Sequence, residues 1–136
     1  IFRIYELSNV MTVQPEHLAA EPAAHEVFQA LADDTRLRCL LLIAAHGELC
    51  VCELVHALDL SQPKISRHLK LLRDAGVVDD RRERIWVYYR IREQLPAWVG
   101  DIINTAWRAN AEREPFISDT QRLATMADRP GARCAG

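Results

Sequence analysis

Three residues, Asp59, Leu60 and Ser61, separate two short apolar-periodic stretches at about residues 51–58 and 62–75. Ser61 is a favoured helix N-cap and Pro63 is tolerated in a first turn, so the second stretch begins a new helix instead of extending the first. Ala75-Gly76 then ends it. Two short helices meeting across so tight a turn predict a helix-turn-helix. Beyond Gly76 the sequence VVDDRRERIWVYYRI places β-branched and aromatic residues around a charged centre. It predicts strands at residues 77–80 and 86–91, joined by Arg81 to Ile85 as a β-hairpin. The expected fold is mainly α with a small β-hairpin, a winged helix-turn-helix.

The flanks fit one domain. Residues 24–32 form an amphipathic turn set around Val27, Phe28 and Leu31. Asp33 or Asp34 caps a helix that runs through RLRCLLLIAAH and stops at Gly47. A total of 136 residues lies at the common domain size, which excludes a large multidomain enzyme. The expected limits are an N-terminal extension at 1–22, a winged-helix domain at 23–112, and a flexible C-terminal tail at 113–136. Residues 1–10, ahead of Met11, read as an addition outside the fold. No run of 18 apolar residues and no secretion-type leader are visible, so the expectation is a cytoplasmic protein with no membrane partner.

A net charge of −2 conceals a division. Residues 1–60 sum to −6, residues 61–92 to +5 and residues 93–136 to −1. A localised basic block inside an acidic chain points to an anion-binding surface, most often nucleic acid. On the predicted second helix, Ile65, Leu69 and Leu72 fall within about 60° of one another, while Arg67 and Lys70 point away. That arrangement suits a helix in the major groove of double-stranded DNA. The candidate DNA-binding residues are Ser61, Gln62, Lys64, Ser66, Arg67, His68 and Lys70 on this helix, with Arg81, Arg82 and Arg84 on the wing. His68 borders the apolar stripe, so a packed imidazole and a phosphate contact both stay open.

The helix predicted at residues 94–110 carries an apolar arc of about 180°, wider than the roughly 100° that one core-facing stripe needs. Leu95, Trp98, Val99, Ile102, Ile103, Ala106 and Trp107 make that arc, and the first six are the candidate dimerisation residues. Its excess breadth suggests a twofold-related copy, a homodimer suited to a palindromic operator, with cover by the first helix of the same chain as the alternative.

Four cysteines are present: Cys39, Cys50, Cys52 and Cys134. Cys50 and Cys52 fall at the start of the first helix of the helix-turn-helix, where unpaired N–H groups favour thiolates and lower their pKa. Soft thiolate pairs suit soft metals and thiophilic metalloids. Residues two apart on a regular helix point about 200° from each other, so joint ligation calls for an irregular or unwound turn. Ligand capture would then distort the support of the DNA-reading helix.

The stretches ALADDTRLRCLLLI, ELCVCELV, LSQPKISRHLKLLRDAGVV and DRRERIWVYYRI resemble the ArsR (ArsR/SmtB) family of winged-helix repressors, in its arsenical-responsive branch. The resemblance covers about residues 25–110. It implies a homodimeric repressor of a resistance operon that leaves its operator when As(III) or Sb(III) binds cysteine thiolates. No catalytic cofactor is implied. By the same resemblance the inducer ligands are Cys50 and Cys52, and Gln62, Lys64, Ser66, Arg67 and His68 lie on the DNA-reading helix. The family's arsenical site has a third cysteine where this chain has Val55, so Cys134, or alternatively Cys39, is the candidate third ligand. Zinc- and cobalt-sensing relatives use Asp and His on the last long helix, and residues 93–112 contain no histidine. The alternatives are a dithiol redox sensor or a Cd/Pb-type soft-metal sensor. A small thiol reductase is a further alternative, lacking both a Cys-x-x-Cys after a strand and a Gly-rich cofactor loop.

Overall fold

The structure, a computed structural model, describes residues 22–130. Its elements are α1 (Ala24–Leu31), α2 (Asp34–His46), β1 (Glu48–Cys50), α3 (Val51–Leu58), α4 (Gln62–Asp74), β2 (Val78–Glu83), β3 (Trp86–Ile91), α5 (Ala97–Asn110) and α6 (Phe116–Ala124). Helices α3 and α4 form the helix-turn-helix and β2–β3 the wing, so the winged-helix expectation holds.

Helix α2 is the central element. Asp33 caps it by accepting the Arg36 N–H at 3.0 Å, and Gly47 ends it at φ 85°, a backbone state that favours glycine. Between those stops Cys39, Leu40, Leu41, Leu42 and Ile43 are all buried, which for five consecutive helical positions means neighbours on every side. Those neighbours include α1, α4, α5 and α6. Ile65, Leu69 and Leu72 supply the inner face of α4, as the periodicity of that helix predicts.

Three features differ from the sequence reading. First, the hairpin is part of a three-stranded antiparallel sheet of order β1-β3-β2, with Leu49 opposite Tyr89 and Cys50 opposite Tyr88. A three-residue strand offers too few positions for alternation to show. Second, β2 runs to Glu83, so Arg81 and Arg82 are strand residues paired with Tyr88 and Val87. Only Arg84 and Ile85 form the tip, with Arg84 in the left-handed region at φ 59°.

Third, the chain beyond residue 112, read as a tail, forms α6 against α3 and α2. Leu123 is fully buried there and Phe116 nearly so. Asp119, 1% exposed, accepts two hydrogen bonds from Arg38 at 2.7 and 2.9 Å and one from Arg122 at 2.8 Å. Arg122 also donates to the Ala57 carbonyl at 2.6 Å. The partner of α6 is an arginine 81 residues earlier, invisible to any local pattern. Among the described residues, no helix is long and apolar enough to cross a membrane.

Candidate nucleic-acid interface and thiol site

The outward face of α4 is built from its cap. Ser61 accepts the Lys64 N–H at 3.4 Å, and Gln62 donates to Ser66 Oγ at 2.9 Å across one turn. Ser61, Gln62, Lys64, Arg67 and Lys70 are exposed and Ser66 is half-buried. Lys64 and Arg67 have no ion pair among the described residues, whereas Lys70 meets Asp74 at 2.7 Å. The N-terminal half of the helix therefore offers amide, hydroxyl and two unpaired cations to one surface. These are the groups that read base edges and hold phosphates.

His68 faces inward. It is buried, its Nδ1 lies 3.3 Å from Arg36 Nη1 and 3.6 Å from Asp33 Oδ2, and burial lowers its pKa below the usual 6.5. Of the two roles left open for it, the packed imidazole is the one this geometry supports.

The wing arginines divide in the same way. Arg81 donates to both oxygens of Glu48 at 2.7 and 2.8 Å, reaches Glu83 at 3.0 Å, and lies over the Tyr88 ring at 4.4 Å. It bridges β2 to β1 across β3 and is already committed. Arg82 and Arg84 are exposed, with no ion pair among the described residues. Arg73 ties α4 to β2 through Asp80 at 3.1 Å, which fixes the wing relative to the helix.

The cysteine turn lies between strand and helix. Cys50 is the last residue of β1 and the N-cap of α3, with φ −77° and ψ 152°. Because Cys50 is extended and only Cys52 is helical, their sulfurs do not diverge by the helical angle. They stand 3.2 Å apart. The expected conflict with helix geometry does not exist, and no unwinding is needed to bring both sulfurs to one atom. Glu53, at N3 of α3, accepts the Cys50 N–H at 2.8 Å and receives Arg129 Nε at 2.6 Å. The carboxylate is 1% exposed, so one buried group joins the cysteine turn to the C-terminal segment.

The expectation of an easily ionised thiol is corrected at Cys52. Burial and the hydrogen bond to Cys50 push the Cys52 thiol up to about 12. Desolvation at this turn outweighs the helix dipole. Cys39 is fully buried in α2 and is likewise pushed up to about 12. Cys134 lies outside the described residues. Among the described residues, no group of three or more His, Cys, Asp or Glu side chains could hold a metal ion.

Cys50 and Cys52 share a groove of about 470 Å³ with Gln62, Ser66, Arg82 and Trp86. The cysteine turn, the start of α4 and the wing therefore face one space. Sequence reasoning assigned these residues to separate jobs, and the strand β1 that brings them together left no pattern to detect.

On α5, Val99 and Ile103 are buried in the chain's own core, with Leu95 and Ala106 packed against it. Ile102 is half-buried, and Trp98 is 36% exposed beside Phe28 of α1, itself 53% exposed. The two rings lie 6.0 Å apart. The outer flank of the apolar arc thus ends in an aromatic pair shared by α1 and α5.

Comparison with known proteins follows this geometry. Residues 33–80 match the sequence profile described as bacterial regulatory protein, arsR family. The chain is 57% identical over 104 residues to the arsenic resistance transcriptional regulator ArsR1 of Pseudomonas putida, covering 76% of this chain and 80% of that protein. It is 53% identical over 92 residues to the arsenical resistance operon repressor of Escherichia coli, covering 68% and 79%. Among solved structures, HlyU from Vibrio cholerae matches with a TM-score of 0.59 at 30% identity, over 73% of this chain and 100% of that one. The AntR antimony-specific transcriptional repressor matches at 0.54 and 30% identity, over 63% and 75%.

Proposed function

The chain belongs to the arsR family of bacterial regulatory proteins, a family of DNA-binding regulators and not of enzymes, and from that premise we propose a metalloid-released repressor. It binds the operator of an arsenical resistance operon as a homodimer and leaves it when As(III) or Sb(III) binds Cys50 and Cys52. The observation that carries this reading is the 3.2 Å separation of the two sulfurs inside the helix-turn-helix. The names of its relatives supply arsenic, and that of AntR antimony.

The chemistry fits a protonated thiol at Cys52. Arsenous acid, As(OH)3, condenses with two Cys–SH groups to form two S–As bonds and release two waters, so each thiol proton leaves on a departing hydroxide. A divalent soft cation gains no such help, since each thiol must first lose its proton to solvent before it binds. The third arsenic position goes to Cys134 in this reading. Arg129 is anchored on Glu53, and five extended residues span at most about 18 Å. Cys39, sealed in the core, is the weaker candidate.

DNA contact is assigned to Gln62, Lys64, Ser66 and Arg67 from α4, with Arg82 and Arg84 from the wing. Ser61 serves chiefly as the cap, Lys70 is taken up by Asp74, and Arg81 braces the sheet. The dimer is assigned to the outer flank of α5, at Trp98 and Ile102, together with Phe28.

A mobility-shift titration on a duplex selected from random sequence for tight binding tests the function. Arsenite is expected to release wild-type protein and to leave Cys50→Ser and Cys52→Ser bound. Cys134→Ser raises the arsenite needed, and Cys39→Ser does not. Release by peroxide with no response to arsenite overturns the reading in favour of a redox sensor.

A further inference from the structure

Cys50 is 2% exposed and Cys52 half-buried, and both line the groove that Gln62, Ser66, Arg82 and Trp86 also line. Beside the pair, the backbone of Cys50 is covered by Glu53, itself capped by Arg129. The approach to the sulfurs is therefore the groove between the start of α4 and the wing. A duplex contacting Gln62 and Ser66 on one wall and Arg82 on the other lies across the mouth of that groove. We infer that operator DNA occludes the cysteine pair, so that the DNA-bound repressor does not sense its inducer and capture occurs only in the free protein.

This inference rests on the reading of α4 and the wing as the DNA surface, and it deepens that reading by specifying how the two ligands exclude each other. The groove is a single space, and a duplex that fills its mouth covers that path to the sulfurs. An arsenic atom seated on Cys50 and Cys52 in turn takes up part of the space between the reading helix and the wing. Exclusion then follows from overlap, with no distortion of α3 required. Its kinetic consequence is that release is limited by spontaneous dissociation from DNA and stops accelerating as inducer is raised.

The test uses the reduced full chain and iodoacetamide, with alkylation of Cys50 and Cys52 read by peptide mass. The arms are no DNA, the selected duplex, and a scrambled duplex at a salt concentration where it does not bind. With the selected duplex at ten times its Kd, only the free fraction reacts, so both cysteines are alkylated about tenfold more slowly. The scrambled duplex leaves the rate unchanged. Equal alkylation rates in all three arms overturn the inference. Protection by the selected duplex together with failure of arsenite to release it upholds occlusion and removes the inducer assignment. Arsenite release without protection upholds the inducer assignment, and the overlap mechanism then fails.

Discussion

At Cys50 the backbone leaves β1 and enters α3, and the extended φ and ψ of that one residue bring its sulfur to Cys52. Glu53 holds the turn by taking the Cys50 N–H, and Arg129 holds Glu53. Replacing Glu53 by Ala leaves the Cys50 N–H and the Arg129 guanidinium without their acceptor, which costs about 1–3 kcal/mol for the N–H alone. Chemical denaturation of Glu53→Ala measures this, and unchanged stability contradicts the role given to the carboxylate.

His68 supplies a pH test at the same scale. Burial lowers its pKa, Asp33 partly offsets this, and Arg36, Arg67 and Lys64 add to it. The unfolded chain therefore takes up the proton first as pH falls through about 6.5, so folded stability declines below that pH and levels off once the folded group also titrates. His46, lowered by burial and by Arg129 against the opposing pull of Glu53, contributes in the same direction. His68→Gln is expected to reduce the slope of stability against pH between 5 and 6.5 without abolishing it. An unaltered slope contradicts the assignment. The position of His68 on the border of the apolar stripe was legible in the sequence. Its direction was not, because Arg36 and Asp33 reach it from another helix.

Among the elements, α4 was the most legible: Ser61, Pro63 and Gly76 mark its limits by local chemistry, and its 3.6-residue period separates Ile65, Leu69 and Leu72 from the cations. β1 and α6 were the least legible. The first has only three residues, and the second is held by an ion pair that spans 81 positions. Removing Asp119 leaves the half-buried Arg38 without its main acceptor, a change that costs about 1.5–3 kcal/mol. Asp119→Ala is expected to lower the midpoint of thermal unfolding and to free α6 from α3, read as faster amide exchange at Leu54 and Leu58. Stability equal to wild type would exclude the ion pair as the lock on α6. In the wing, Arg81→Ala is expected to loosen the sheet with little effect on DNA affinity, while Arg82→Ala weakens DNA binding. The reverse pattern contradicts the division between committed and unpaired arginines.

For the whole molecule, the basic block of +5 predicts less than its arginines and lysines suggest, since Lys70, Arg73, Arg81 and Arg90 each meet a carboxylate. Of the other five, Arg92 is half-buried, and the exposed Lys64, Arg67, Arg82 and Arg84 remain for phosphates. A dimer presenting that set twice gives a slope of log K against log salt near −7, and Arg67→Ala brings it to about −5. In the proposed dimer the interface is the flank that carries the Phe28–Trp98 pair. Trp98→Glu is expected to sediment as a monomer and to bind a palindromic duplex at least about tenfold more weakly, since it forfeits the second half-site. Dimers of Trp98→Glu contradict the assigned face. The charge division was readable from sequence as a sum over segments. Which cations are unpaired was not, because the sheet and the ion pairs across it decide that.

The central claim is that the inducer sits on Cys50 and Cys52, and X-ray absorption at the arsenic edge of the arsenite-bound full chain tests it most directly. The account predicts a sulfur-dominated arsenic environment in the wild type that loses sulfur neighbours in Cys50→Ser and in Cys52→Ser. An arsenic bound with the same sulfur count in wild type and both variants, or bound by oxygen alone, would contradict it.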